Sequence, residues 1–272
     1  MRAQNLTVCV PYTGCNKNCP YCISKMTGYS KNSGDHLMAQ NLKKVRYLAA
    51  MAQVTSVLFT GKGEPCWDMD LLLGIMAPFE HLPSELQTNG GMLDKKDINR
   101  LHNAGLNVLA FSLDRLEQFD SCSKLAASAR KQGIVTRVTL NITNLLPRET
   151  TMRGILSLTK KYGYQQLTLR QITIPNNIKT QDKKARDAKA WVLKNVDPTH
   201  YDELVNQITH LPQHEIRRLP YGAIVYDIGG ISVTSFDYCI QDANNNEDIR
   251  SLIFMEDGHV YTAWNSKASI LF

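Results

Sequence analysis

Short apolar runs punctuate the first two thirds of the chain. They alternate with segments in which apolar residues recur at helical spacing. "LTVCV" (Leu6–Val10) reads as a strand stopped by Pro11, and a helical pattern follows over Met38–Gln53. "SVLFT" (Ser56–Thr60) is the next strand, and Asp68 stands where a cap would open a helix through "MDLLLGIM". "SELQT" (Ser84–Thr88) is the third strand, closed by "NGG". Asp94 then opens a helix that stops at Gly105, a residue suited to a left-handed helix end. "NVLAFSL", "IVTRVTLNI" and "QLTLRQITI" continue the series as strands four to six. A helix ending near Gly133 and another over "TTMRGILSLTKKYG" separate them.

A strand–helix unit repeated at roughly 20–30 residues predicts parallel strands joined by helical crossovers. Six units rather than eight predict an α/β fold, a partial (βα)6 TIM-like barrel left open on one side. Runs such as "VLF" and "VLAF" predict strands that are apolar on both faces. After Pro175 the pattern changes. A polar, lysine-rich stretch leads into two helices, the second from about Thr199. β-like runs return from Tyr221 as "YGAIVYDI", "ISVTSF" and "SLIFMEDGHVYTAW". Asp257-Gly258 marks a hairpin turn, and "DANNNEDI" reads as a loop. The expected division is a barrel core over residues 1–175 and a C-terminal α+β extension over 176–272 that covers the barrel opening.

Composition narrows the chemistry. The seven cysteines are odd in number and unevenly placed, which excludes a secreted disulfide framework and favours a reducing compartment. No apolar run reaches membrane-spanning length, and "MRAQNLTVCVP" lacks the apolar core of a signal peptide. The expectation is a cytoplasmic protein with no membrane partner. The net charge of +6 permits an anionic substrate or a nucleic acid and requires neither.

Three of the cysteines, Cys15, Cys19 and Cys22, crowd into "YTGCNKNCPYCISKM" directly after the first strand. Loops after barrel strands lie at the face where active sites are built. The C-x3-C-x2-C spacing lets one short loop wrap a metal centre. Structural zinc takes four protein ligands, and here the fourth is missing locally, His36 being the nearby histidine. Iron–sulfur clusters also take thiolates, and three thiolates on a four-iron cluster leave one iron for a ligand that is not protein.

At these residues the sequence resembles the radical S-adenosylmethionine (radical SAM) enzymes. The cysteine spacing carries an aromatic, Tyr21, just before the third cysteine. "FTGKGEP" (Phe59–Pro65) follows strand two, where that family has its Gly-Gly-Glu motif. "LQTNGGML" follows strand three, and "FSLD" ends strand four, where family members carry a ribose-contacting pair. The resemblance runs from residue 6 to about 175. Within the family, the "TNG…FSLD" arrangement is similar to the branch holding the molybdenum-cofactor GTP cyclase and peptide-modifying enzymes. That cyclase's second cysteine set is absent here.

The resemblance implies a [4Fe-4S] cluster on Cys15, Cys19 and Cys22, with S-adenosylmethionine (SAM) on its open iron. It implies that the backbone of Gly61, Lys62, Gly63 and Glu64 meets SAM's amino group. Lys62 between the glycines departs from the family's adjacent pair. Tyr21 is expected near the adenine or as a shield for the cluster. Gln87, Thr88 and Asn89 reach the methionine or ribose, or simply make a turn. Ser112 and Asp114 point to one side and suit ribose or methionine, or Asp114 caps the next helix. Arg137 and Asn141 share a face of strand five. Arg137, like Arg170 on strand six, is either a ligand contact or half of a structural ion pair, because an unpaired guanidinium inside a barrel is costly.

The implied reaction is reductive cleavage of SAM to a 5′-deoxyadenosyl radical, which takes a hydrogen atom from a small-molecule or nucleotide substrate. An external electron donor of flavodoxin or ferredoxin type is implied as partner. A macromolecular substrate (nucleic acid, peptide or protein) is the alternative, and a non-catalytic, zinc-stabilised nucleic-acid-binding protein a remote one. Lys179, Lys183, Lys184, Arg186 and Lys189, interleaved with Asp182 and Asp187, read as a solvated helix face, with a phosphate contact the sharper alternative. Cys9, Cys66, Cys122 and Cys239 read as packed thiols rather than ligands of a second cluster.

Overall fold

Strands of this chain carry two chemically different faces, and the helices cover only one of them. The computed structural model describes residues 2–28, 35–219, 223–236, 248–264 and 266–272. In chain order the elements are β1 (Arg2–Val10), α1 (Ile23–Thr27), α2 (Asp35–Met51), β2 (Val57–Gly61), α3 (Met69–Met76), β3 (Ser84–Thr88), α4 (Lys95–Asn103), β4 (Val108–Leu113), α5 (Gln118–Ser121) and α6 (Ser123–Lys131). There follow β5 (Val135–Ile142), α7 (Met152–Lys161), β6 (Gln166–Gln171), α8 (Lys183–Asn195), α9 (Pro198–Thr209), β7 (His214–Arg218), β8 (Ile224–Ile228), β9 (Ile231–Phe236), β10 (Asp248–Phe254) and β11 (Val260–Tyr261).

The strands form one sheet in the order β11-β10-β1-β2-β3-β4-β5-β6-β9-β8-β7. Strands β1 to β6 are consecutive and parallel, each joined to the next through helix, as in an open partial barrel. Caps act where the sequence places them. The Asp68 carboxylate accepts from Leu71 N at 3.0 Å, and Asp94 and Asp97 form a reciprocal capping box at the start of α4. Gly105 and Gly133, both at φ +80°, end their helices in the left-handed region.

The last hundred residues extend this sheet at both edges. Strand β10 pairs parallel with β1 (Leu6↔Leu252), and β9 pairs parallel with β6 (Leu167↔Val233). Strands β11, β8 and β7 add antiparallel beyond them. Strand β1 therefore starts at Arg2 rather than Leu6, because Arg2–Asn5 find partners in Asp248–Ser251. Asp248 and Ile249 of the expected "DANNNEDI" loop belong to β10, while 242–247 lie outside the described residues, as do Tyr221 and Cys239. The Asp257-Gly258 turn joins β10 to β11 as expected. Strand β7, "HEIRR", is an exposed edge whose charged side chains hide it from an apolar-pattern reading and suit an edge.

On the helix side, Leu86, Leu109, Phe111, Leu113, Val138, Leu140, Leu167 and Leu169 are fully buried in the main core. Truncating Phe111 to alanine there costs about 3–5 kcal/mol. The other face corrects the expectation of strands apolar on both sides. Its rows run Arg137–Gln166–Ser232, Ser112–Thr139–Thr168–Thr234 and Asn141–Arg170. In a partial barrel the crossovers cover only the convex face, so the concave face of β3 to β6 is free to be polar. It becomes apolar towards β1, where Cys9, Ile253, Tyr261, Met255 and Trp264 pack together. Among the described residues no helix is long and apolar enough to cross a membrane.

Candidate active site

The loop between β1 and α1 presents three free thiols, each partly exposed, whereas Cys9, Cys66 and Cys122 are buried. Its end is a tight turn. Cys22 N donates to Cys19 O at 3.3 Å, and Cys22 O then accepts from Lys25 N at 3.0 Å as the N-terminal residue of α1. The Lys25 ammonium donates to Cys19 O at 2.7 Å. Burial pushes the Cys15 and Cys19 thiols up from their ordinary value, and the Asp114 carboxylate adds to the rise at Cys19. A cationic metal centre opposes that rise and holds the thiolates.

The glycine-rich turn after β2 lies directly against this loop. Glu64 N donates to Gly14 O at 2.9 Å. A Cβ on Gly63 would sit 2.5 Å from that same carbonyl and 2.7 Å from the Tyr12 ring, so only glycine permits the approach. The Glu64 side chain, 4% exposed, points inward. It accepts from Cys66 N at 3.0 Å, from the Thr88 hydroxyl at 2.6 Å and from Asn89 N at 2.8 Å. Glu64 thus fastens the turn to the end of β3. Lys62 points away from Glu64: its ammonium lies 3.2 Å from Glu256 Oε1 and donates to Gly28 O at 3.1 Å.

Asn89 carries the contact onward. Its amide donates to Asn16 Oδ1 at 2.8 Å and lies 3.9 Å from Cys15 Sγ. Its Oδ1 accepts from Gly91 N at 2.9 Å, so the turn reading of "TNGG" and a place beside the first cysteine both hold. Gln87 sits lower on the concave face, 3.5 Å from Glu85 Oε1. At the end of β4, the Tyr21 phenol donates to Asp114 Oδ2 at 2.7 Å. Asp114 therefore caps no helix: α5 follows Glu117 and has no side-chain cap. Ser112 lies below it, opposite Thr139.

Arg137 takes the ion-pair alternative. Its guanidinium meets Glu85 Oε2 at 2.5 Å and Gln166 Oε1 at 2.8 Å. Asn141 stands level with Arg170, and among the described residues its buried Oδ1 has no hydrogen-bond partner, nor do Asp114 Oδ1, which lies 3.9 Å from Arg115 Nε, and Arg170 Nε. Three strand ends thus aim unmet hydrogen-bonding atoms at one region. Lys183, Lys184 and Arg186 are exposed on the outward side of α8 and Lys189 partly so, while Ala185, Ala188 and Val192 face in; Lys179 precedes the helix, and its N donates to Met26 O at 2.8 Å.

Several contributors carry no local sequence signal. Trp191 of α8 packs on Tyr21 with ring centroids 5.6 Å apart, in a small apolar cluster with Met26, Ala188 and Val192 that also touches Cys19. Glu256 and Glu85 reach Lys62 and Arg137 from distant strands. Among the described residues no three Cys, His, Asp or Glu side chains converge as a single ion requires, and the His36 side chain lies outside them. Three partly exposed free thiols on one short loop are a donor set of the kind that iron–sulfur clusters take.

Residues 9–145, half of the chain, match the family model described as the radical SAM superfamily. Over 104 residues the chain is 31% identical to Molybdenum cofactor biosynthesis protein 1 of Dictyostelium discoideum, a stretch that is 38% of this chain and 16% of that protein. The fold is similar to Streptococcus suis SuiB bound to its precursor peptide SuiA, with a TM-score of 0.58 at 14% identity, covering 96% of this chain and 60% of that one. SuiB bound to S-adenosylmethionine gives a TM-score of 0.57 at 13% identity, covering 97% and 60%. Both likenesses are of fold. The cysteine loop, the glycine turn packed on it and the family match agree: the chain is an enzyme of the radical SAM superfamily.

Proposed function

We propose that the chain cleaves SAM reductively at a [4Fe-4S] cluster and uses the product to take a hydrogen atom from a small-molecule or nucleotide substrate. The observation that carries this reading is the hydrogen-bonded continuity of the four motif loops. Glu64 binds the second loop to the first and third, Asn89 binds the third to the first, and Tyr21 binds the first to the end of β4.

Cys15, Cys19 and Cys22 would hold the cluster, which when bound with SAM supplies a 5′-deoxyadenosyl radical by one-electron cleavage of the carbon–sulfur bond. The chain's own residues position and shelter. The Gly61–Glu64 turn, held rigid by the inward carboxylate, offers backbone to SAM's methionine. Asn89, Ser112 and Asp114 offer side chains to its polar groups. Tyr21 and Trp191 exclude water on the Cys19 side. In this reading residues 1–175 are the catalytic core and 176–272 the cover, and electrons come from an external flavodoxin- or ferredoxin-type donor.

Anaerobic reconstitution with iron and sulfide, then reduction by dithionite in the presence of SAM, tests the reading. Methionine and 5′-deoxyadenosine are expected in equal amounts, and none from Cys19→Ala. A wild-type protein that binds a cluster yet yields no 5′-deoxyadenosine overturns it. Deuterium transfer from candidate substrates into 5′-deoxyadenosine then identifies the substrate.

A further inference from the structure

Among the described residues, Arg137 and Arg170 point onto the concave face, and Arg137 is the one that has an acidic partner. Arg137 is paired with Glu85 and held by Gln166. Arg170, one strand across and nearer the cysteine loop, makes no ion pair or hydrogen bond through its side chain among the described residues, and its Nε is buried. A desolvated guanidinium donor without an acceptor is costly, and a bound anion removes that cost. Arg170 belongs to the row Asp114–Asn141–Arg170, because Leu113 pairs with Leu140 and Asn141 with Arg170. Tyr21 of the cysteine loop grips the Asp114 end of that row, and the Asn141 side chain also contacts the Tyr21 hydroxyl. The free cation therefore stands on the same rim as the thiols.

Resting on the radical SAM reading above, we infer that Arg170 anchors an acid group of the substrate, a carboxylate or a phosphate. The planar guanidinium matches either through paired donors. Asn141 Oδ1, the next atom along the row, is buried and unmet. Adjacent strands lie about 5 Å apart, so the same ligand carries a hydroxyl or ammonium donor about that far from its acid group. The substrate class is a hydroxylated or aminated acid, and the Arg137–Glu85 pair deeper in the face takes no part in its charge recognition.

Calorimetric binding to the reconstituted, SAM-loaded protein tests this with two probes, inorganic pyrophosphate and citrate. Saturable binding of at least one is expected. It should weaken at least tenfold in Arg170→Gln and less in Arg170→Lys, with the cluster absorbance and the SAM affinity of both variants within twofold of wild type. The tighter probe tells phosphate from carboxylate. Absence of saturable binding by either probe, or binding unaltered in Arg170→Gln, overturns the inference. So does a tenfold loss of SAM affinity without loss of probe binding, which would give Arg170 to SAM's own carboxylate. Arg170-dependent probe binding in a protein that yields no 5′-deoxyadenosine would count against the reductive-cleavage reading and in favour of the acid site.

Discussion

The Tyr21 phenol donates a 2.7 Å hydrogen bond to Asp114 Oδ2, joining positions 93 apart in sequence. Burial, with Cys19 and Asp114 adding to it, pushes the phenol's pKa far up, so Tyr21 remains a donor at any working pH. Tyr21→Phe keeps the ring on Trp191 and leaves the carboxylate, 8% exposed, short of its donor. We expect a loss of about 1–3 kcal/mol in urea unfolding of the metal-free protein. Combined with Asp114→Asn, the loss should be smaller than the sum of the two single variants. An additive pair would remove the bond from the account of stability.

Arg137 and Glu85 form a half-buried pair across three strands. Removing one partner strands the other charge, so Arg137→Met or Glu85→Leu alone should cost about 1–3 kcal/mol. The double variant should recover most of this, since two apolar side chains replace a desolvated pair. Unfolding midpoints of the three variants decide it. A double variant as unstable as the sum would show that the pair does more than neutralise itself.

Lys62 replaces a glycine in the family's turn and lies against Glu256, 3% exposed, from the β10–β11 turn. Lys62→Gly restores the family pattern and withdraws the cation. The expectation is a loss of about 2–3 kcal/mol, with thermolysin cutting the 255–259 turn faster than in wild type. An unchanged cleavage rate would mean that the turn is held by its other contacts, such as Asn41 on Gly258 O.

Burial pushes the His200 imidazole of α9 below its ordinary value; Arg148 adds to the fall, and Glu203 and Asp197 oppose it. The unfolded chain, with a pKa near about 6.5, then takes up the proton before the folded one does. Stability from this group is intact above about pH 6.5 and is lost as the pH falls through the folded value. His200→Gln should therefore lose less thermal stability than wild type between about pH 7.5 and 5.5. Equal losses would assign the acid sensitivity to other groups.

What the sequence shows here is what local spacing can carry. Strands β3 to β6 and the caps at Asp68 and Asp94 follow from residues within one turn or one strand. The cysteine, glycine and "TNGG" motifs are likewise contiguous. Partners are another matter. Nothing near Arg137 announces Glu85, nothing near Lys62 announces Glu256, and Trp191 meets Tyr21 only after α8 docks. The polar concave face was hidden for a different reason. Runs such as "VLAF" look uniformly apolar, yet Ala110 and Ser112 share a side with Arg137 and Thr139, and only the register shows it.

The pairing of β1 with β10 has a consequence for how the protein is made. Arg2 meets Asp248, so the strand that carries the cysteine loop receives its outer neighbour only after the whole intervening chain has emerged. Until then a growing chain presents β1 as a bare sheet edge with three accessible thiols attached, a species open to aggregation and oxidation. The long-range pairing makes closure of this sheet edge a late product of biogenesis.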